Sequence, residues 1–160
     1  MAEEKKSKDL FMSLCSQKGF QFKNPTKEQF NNFINLILIG QENKKPKKVS
    51  LCLKFLKSKS KSKWLWVEIK NKHGNPGWLY GSSDFIVFEL ADEFLFVPRS
   101  ALLNHIYENV NSSSIISSCS WDSKYKIYQR PGFFDQITQV KADKVKKLKN
   151  TYVWLKNQKT

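Results

Sequence analysis

The runs DFIVFEL and EFLFVP, at Asp84–Leu90 and Glu93–Pro98, constrain the fold more than any other feature of the chain. Both are rich in aromatic and β-branched residues, and only Ala91 and Asp92 stand between them. A two-residue connection of this kind suits a tight turn between antiparallel strands. Strands this apolar need cover, so the chain is expected to build a sheet with helices packed on it.

A second run, KWLWVEIK, reads as a strand by its alternation. Leu65, Val67 and Ile69 line one face, while Trp64, Trp66, Glu68 and Lys70 line the other. A carboxylate and an ammonium therefore stand in line with two indoles. VSLCLKFL, Val49–Leu56, predicts a further strand. KYKIY and Gln136–Val140, on either side of the Pro131-Gly132 turn, predict two more. The spacing predicts helices over Lys8–Ser16, over Thr26–Gly40, over RSALLNHIYENV, and in a basic C-terminal segment from about Ala142. The second is the strongest: Thr26 and Gln29 have capping-box spacing, Phe30, Phe33, Ile34, Ile37 and Leu38 recur with the helical period, and Gly40 closes it. The polar Met1–Lys8 end is expected to fray. QENKKPKK and KSKSKSK read as loops, NSSSIISSCS as a loop or irregular edge, and NKHGNPGWLYGSS as turns with room for one helical turn around Trp78. The expectation is one α/β domain over 1–160, with N-terminal helices in 9–40, a sheet core in 49–140 and a helix in 141–160. Its centre is a mixed β-sheet of four to six strands flanked by helices.

Charge narrows the function. The chain carries 28 Lys and Arg against 14 Asp and Glu, a net charge of +14, and only Arg99 and Arg130 are arginines. Nine lysines lie between Lys44 and Lys63 with no acid among them. Such a chain favours a polyanionic partner, nucleic acid first. The longest apolar run, FINLILIG, falls far short of the roughly 20 residues that span a bilayer, so no membrane partner is expected. The polar start lacks a secretory signal, and Cys15, Cys52 and Cys119 form no C-x-x-C, which points to a cytoplasmic protein with free structural thiols. Neither glycine-rich nucleotide fingerprint is present.

Glu68 and Lys70, two apart on one strand, suit metal-dependent cleavage of phosphodiesters. The carboxylate would hold the ion, and the lysine would orient water and offset charge on the phosphorus oxygens. The segment WVEIKNKHGNPGWLYGSSDFIVFEL, with FLFVPRSAL and YKIYQRPGFFDQIT, resembles phage-encoded nucleases of the PD-(D/E)XK superfamily, in which a strand ending in E-x-K-N runs into a glycine- and tryptophan-containing turn and a D-[FY]-I-x-F strand. The resemblance covers about residues 49–140. It implies a restriction-endonuclease-like core, Mg2+ or Mn2+ as cofactor, metal binding by Glu68, a catalytic part for Lys70, and a host cytoplasm as the location. The chain departs from the pattern on the preceding strand, where an aspartate is wanted: no acid lies between Glu42 and Glu68, and Ser50 stands where one is expected. Asp9 or Glu28 could substitute, whereas Asp84 reads as a turn cap.

Nucleic-acid contacts are expected from Lys57, Lys59, Lys61, Lys63 and Lys72, from Trp78 and Tyr80 as stacking platforms unless Trp78 plugs the core, and from Arg130, which can instead pair with Asp135. His73 reads as exposed and His105 as structural. The leading expectation is a metal-dependent nuclease, or its degenerate descendant, acting on DNA ahead of RNA. The alternatives are a non-catalytic nucleic-acid-binding accessory protein and an interaction protein for an acidic partner.

Overall fold

The hairpin of DFIVFEL and EFLFVP is present in the computed structural model, which describes residues 2–55, 63–118 and 120–157. Phe85–Glu89 and Glu93–Pro98 run antiparallel with Glu89 opposite Phe94, and the Leu90 N–H donates to the Glu93 carbonyl at 2.8 Å. In chain order the elements are α1 (Ala2–Gln17), β1 (Gln21–Lys23), α2 (Lys27–Asn31), β2 (Leu36–Glu42), β3 (Lys45–Lys54), β4 (Trp64–Lys70), β5 (Phe85–Glu89), β6 (Glu93–Pro98), α3 (Arg99–Asn109), β7 (Asn111–Ile116), β8 (Lys126–Tyr128), β9 (Gln136–Lys141), α4 (Ala142–Lys146) and β10 (Tyr152–Leu155). Trp78–Tyr80 form the single helical turn expected there, a 3-10 turn.

The strands make two sheets. The larger is mixed, in the order β1-β2-β3-β5-β6-β10, with β3 and β5 parallel; the smaller runs β4-β9-β8-β7. Parallel neighbours require a crossover. Between β3 and β5 that crossover contains β4 and the Trp78 turn, so β4 joins the second sheet instead of the first.

Period-two alternation sorts the larger sheet into two cores. Leu36, Leu38, Leu51, Val87, Phe94 and Phe96 face Phe11, Leu14 and Cys15 of α1. Cys52, Ile86, Phe88, Leu95 and Val97 face the opposite way, onto Leu65, Val67 and Val140 of the smaller sheet and Leu102 and Ile106 of α3. The domain is thus three layers, with α1 on one side and the smaller sheet with α3 on the other.

Four expectations are corrected. The N-terminus is not frayed from residue 2 onward: α1 begins at Ala2, where Glu3 and Glu4 complement the positive end of the helix dipole. The Thr26–Gly40 helix has its capping box, with Gln29 N–H donating to Thr26 Oγ1 at 3.2 Å, yet it stops at Asn31. Phe33 has φ 64°, in the left-handed region, and Leu36–Glu42 becomes a strand between β1 and β3. The Leu36–Ile39 run is apolar on every side, which a sheet covered on both faces satisfies and a one-sided helix does not. Gly40 does not close a helix but makes room for Phe20, whose ring would stand 2.8 Å from a β-carbon there. QENKKPKK is the end of β2, the β2–β3 turn and the start of β3, with Asn43 and Lys44 at φ 52° and 63°, the left-handed pair that primed hairpin turns require. The C-terminal helix is only α4; Asn150 at φ 63° then redirects the chain into β10, which pairs with β6 and packs Trp154 on Phe96 at 4.4 Å.

Candidate nucleic-acid interface

The E-x-K strand is β4. It lies in the second sheet and not in the central one; among the described residues it is an edge strand, paired with β9. Glu68 stands opposite Ile137 and Lys70 opposite Gln136, so Ile69 is an extra residue in the ladder, a β-bulge. Strict alternation therefore ends at Glu68. Lys70 is exposed, whereas Glu68 is half-buried and its Oε1 accepts the Trp78 N–H at 3.4 Å. Gly77 permits that approach: a β-carbon on it would lie 2.7 Å from the Glu68 carbonyl oxygen and 2.8 Å from Glu68 Cγ. Asn71 shapes the intervening loop, its Oδ1 accepting the N–H groups of His73 and Asn75 at 3.0 and 3.1 Å. E-x-K-N and the following G-W thus form one folded unit, in which Glu68 and Asn71 hold the turn that seats Trp78 in the core.

Mg2+ is anchored by one or two carboxylates together with phosphate and water. Near Glu68 the side chains that gather are Lys54, whose ammonium lies 4.8 Å over the Trp78 ring, and Cys52, whose thiol feels both Lys54 and Glu68. Asp84 is engaged elsewhere: its Oδ2 accepts the N–H and the hydroxyl of Ser50 at 2.8 and 3.0 Å. Ser50 precedes Lys54 on β3 by four residues, about 13 Å of strand. Asp9 lies on α1, across the larger sheet from β4, and Glu28 is exposed in the first turn of α2. Among the described residues no three His, Cys, Asp or Glu side chains converge in a way that could hold a metal ion. The ammonium of Lys54 and the thiol of Cys52 beside Glu68 supply no second carboxylate for Mg2+ or Mn2+.

Of the expected nucleic-acid contacts, Lys57, Lys59 and Lys61 lie outside the described residues. Lys63 and Lys72 are exposed. Trp78 is not a stacking platform: it is 6% exposed and packs edge-on against Phe88, because the 3-10 turn rolls it inward and Tyr80 outward. Arg130 pairs with Asp135 at 2.9 Å, and its guanidinium lies 4.2 Å over Phe133.

Trp66 is the residue that sequence reasoning left aside. Burial of Leu65 and Val67 turns it outward, 42% exposed, opposite Gln139 on β9. Lys124 is in register with Gln139 on the other side of β9, and its ammonium stands 5.1 Å over the Trp64 ring. Lys141 faces Trp64 across the ladder. The signal was the alternation itself, which had already put Trp64 and Trp66 on the face opposite Leu65 and Val67. No family model, curated protein or solved structure matches the chain.

Cys15, Cys52 and His105 are structural. Burial pushes the Cys15 thiol up to about 12 and the Cys52 thiol up to about 11, so neither is poised as a nucleophile. His105 Nε2 lies 3.0 Å from the Tyr125 hydroxyl, which also accepts the Lys141 N–H at 3.2 Å, while Asn109 Nδ2 approaches His105 Nδ1 at 3.3 Å. With Asn109 donating to Nδ1, the neutral ring carries its proton on Nε2. Burial first, and then Lys144, lower the His105 pKa below its ordinary 6.5, with Glu108 opposing. On acidification the unfolded chain takes up this proton first, so the contribution of His105 is complete above the ordinary value and is lost as pH falls through it toward the folded value. Urea unfolding at about pH 7.5 and about pH 5 should therefore show a larger acid loss in the wild type than in His105→Asn. Equal losses would separate His105 from the acid response.

Proposed function

We propose that this chain is a nucleic-acid-binding protein whose affinity is set by lysine–phosphate contacts and is largely independent of sequence, with DNA ahead of RNA. The observation that carries this reading is the crowding of positive charge on the β1–β2–β3 edge. Lys44, Lys45 and Lys48 are exposed on the hairpin beside the Lys47–Glu42 ion pair, and Lys48 holds the Lys23 ammonium of β1 below the ordinary lysine range. Cations held this close raise a local potential that phosphate relieves, and the net charge of +14 extends it over the molecule.

Cleavage through the E-x-K element would need the restriction-endonuclease-like arrangement in which a second acid joins Glu68. Against that stand the edge position of β4, the engagement of Glu68 with the Trp78 turn and of Asp84 with Ser50. The reading is therefore binding without cutting.

Lys23→Ala with Lys48→Ala should reduce the dependence of log affinity on log salt by about 0.9 for each phosphate contact removed, measured by anisotropy of a labelled oligonucleotide. An unchanged slope would take the β1–β3 edge out of the interface. Incubation with Mg2+ or Mn2+ should leave single-stranded, duplex and branched DNA and RNA intact. Metal-dependent cleavage that Glu68→Ala abolishes would replace this reading with the nuclease one.

A further inference from the structure

We infer that the outer face of the four-stranded sheet binds single-stranded nucleic acid, with Trp66 as the platform on which an unpaired base stacks. The inference rests on the nucleic-acid reading and names the form of the substrate.

A sheet needs one buried face, and here Leu65, Val67 and Val140 supply it. Nothing in folding then calls for an indole on the other face, where Trp66 stands 42% exposed. Its surroundings are cationic. Across β9 lies Lys124, with its ammonium over the Trp64 ring, and one step along the ladder Lys141 stands opposite Trp64. Lys63, exposed, leads into the strand. An aromatic plane with ammonium groups beside it is the arrangement that takes a base on its π-face and the flanking phosphates on its cations.

A second exposed aromatic group lies past the end of β4. The loop after Lys70 meets the Arg130–Asp135 turn, where a β-carbon on Gly74 would touch Phe134 Cβ at 3.4 Å. That turn presents Phe133 and Phe134, 49% and 66% exposed, with the Arg130 guanidinium stacked on Phe133. From Trp66 to Lys70 is four residues, about 13 Å of strand, so the two aromatic stations suit separate bases of one extended strand. Duplex bases present no free face to either station. An anionic lipid surface would also attract the lysines, but Trp66 and the Phe133–Phe134 pair stand apart, with Arg130 stacked on Phe133, and do not form the continuous apolar stripe that inserts into a bilayer interface.

The test is a titration of fluorescein-labelled oligothymidylate of about twelve nucleotides, and of a duplex of equal length, into the full chain at low salt. Trp66→Ala should weaken single-strand binding about tenfold and duplex binding by less than about twofold, and Trp66→Phe should restore most of the loss. The residue is on the surface, so thermal unfolding should coincide with the wild type. Single-strand affinity unchanged in Trp66→Ala, with binding otherwise intact, would overturn this site and leave the proposed function standing. Binding to neither oligonucleotide would remove both. Binding to phosphatidylserine-containing vesicles that depends on Trp66, without any effect of Trp66→Ala on the oligonucleotide, would assign the face to a membrane and overturn the inference.

Discussion

Phe11→Ala should lower the free energy of unfolding by about 3–5 kcal/mol, the range for removing a fully buried aromatic side chain. Phe11 is 0% exposed and is the centre of an aromatic cluster that joins four separate parts of the chain. Its ring meets Phe94 edge-on at 5.1 Å, Phe96 at 5.8 Å, Phe55 at 5.9 Å and Trp154 face-on at 6.0 Å. The cavity left by alanine is bounded by rings anchored in β6 and β10, which cannot collapse into it without shifting the sheet. In urea the midpoint should fall with little change in slope. A loss below about 1 kcal/mol would show that α1 is not docked on the sheet as described.

The second large effect concerns a buried ion pair. Glu89, on β5 and 6% exposed, accepts from Lys156 Nζ at 2.7 Å and from Ser7 Oγ at 2.9 Å. Lys156 also lies 5.4 Å over the Phe94 ring, so α1, β5 and the segment after β10 meet at this carboxylate. Glu89→Ala leaves the ammonium beside an apolar core without its counter-charge, which should cost about 3–5 kcal/mol. Replacing both partners, Glu89→Gln with Lys156→Met, should cost clearly less than the sum of the single changes, since neither charge is then left alone. Strict additivity in urea unfolding would mean that the two groups are not coupled.

What was legible in the sequence was local. The β5–β6 hairpin, α3, the Trp78 turn and β9 each carry their signal within a few residues, as a two-residue turn, a helical stripe or an alternation. The Thr26–Gly40 segment shows where that stops. Its capping box is a local signal and is present, but Leu36–Ile39 satisfies both helical and strand periods, and its choice is made by β1 and β3, which pair with it from both sides. β10 was hidden in the same way: four residues after a lysine-rich helix signal read as its continuation until β6 offers an edge. Sheet membership is equally non-local. Period two placed Trp64, Trp66, Glu68 and Lys70 on one face; the structure turns Trp66 outward and ends the alternation at the bulge before Lys70, but nothing along the chain says that β4 pairs with β9 and not with β3. That pairing is why the E-x-K strand meets the Trp78 turn and not a second acid. Trp78 itself was open to either reading, and its packing against Phe88, on a strand ten residues later, decides for the core.

Lysine–phosphate binding is tested most directly by one titration: affinity of the purified full chain for two labelled oligonucleotides of unrelated sequence, followed as salt is raised from about 50 to about 200 mM. The expected result is measurable binding to both at the lowest salt, closely similar affinities, and a linear fall of log affinity with log salt whose slope counts the phosphates engaged. Replacing Lys57, Lys59, Lys61 and Lys63 together by alanine should flatten that line. Undetectable binding at low salt, or affinity that does not change with salt, would contradict the account.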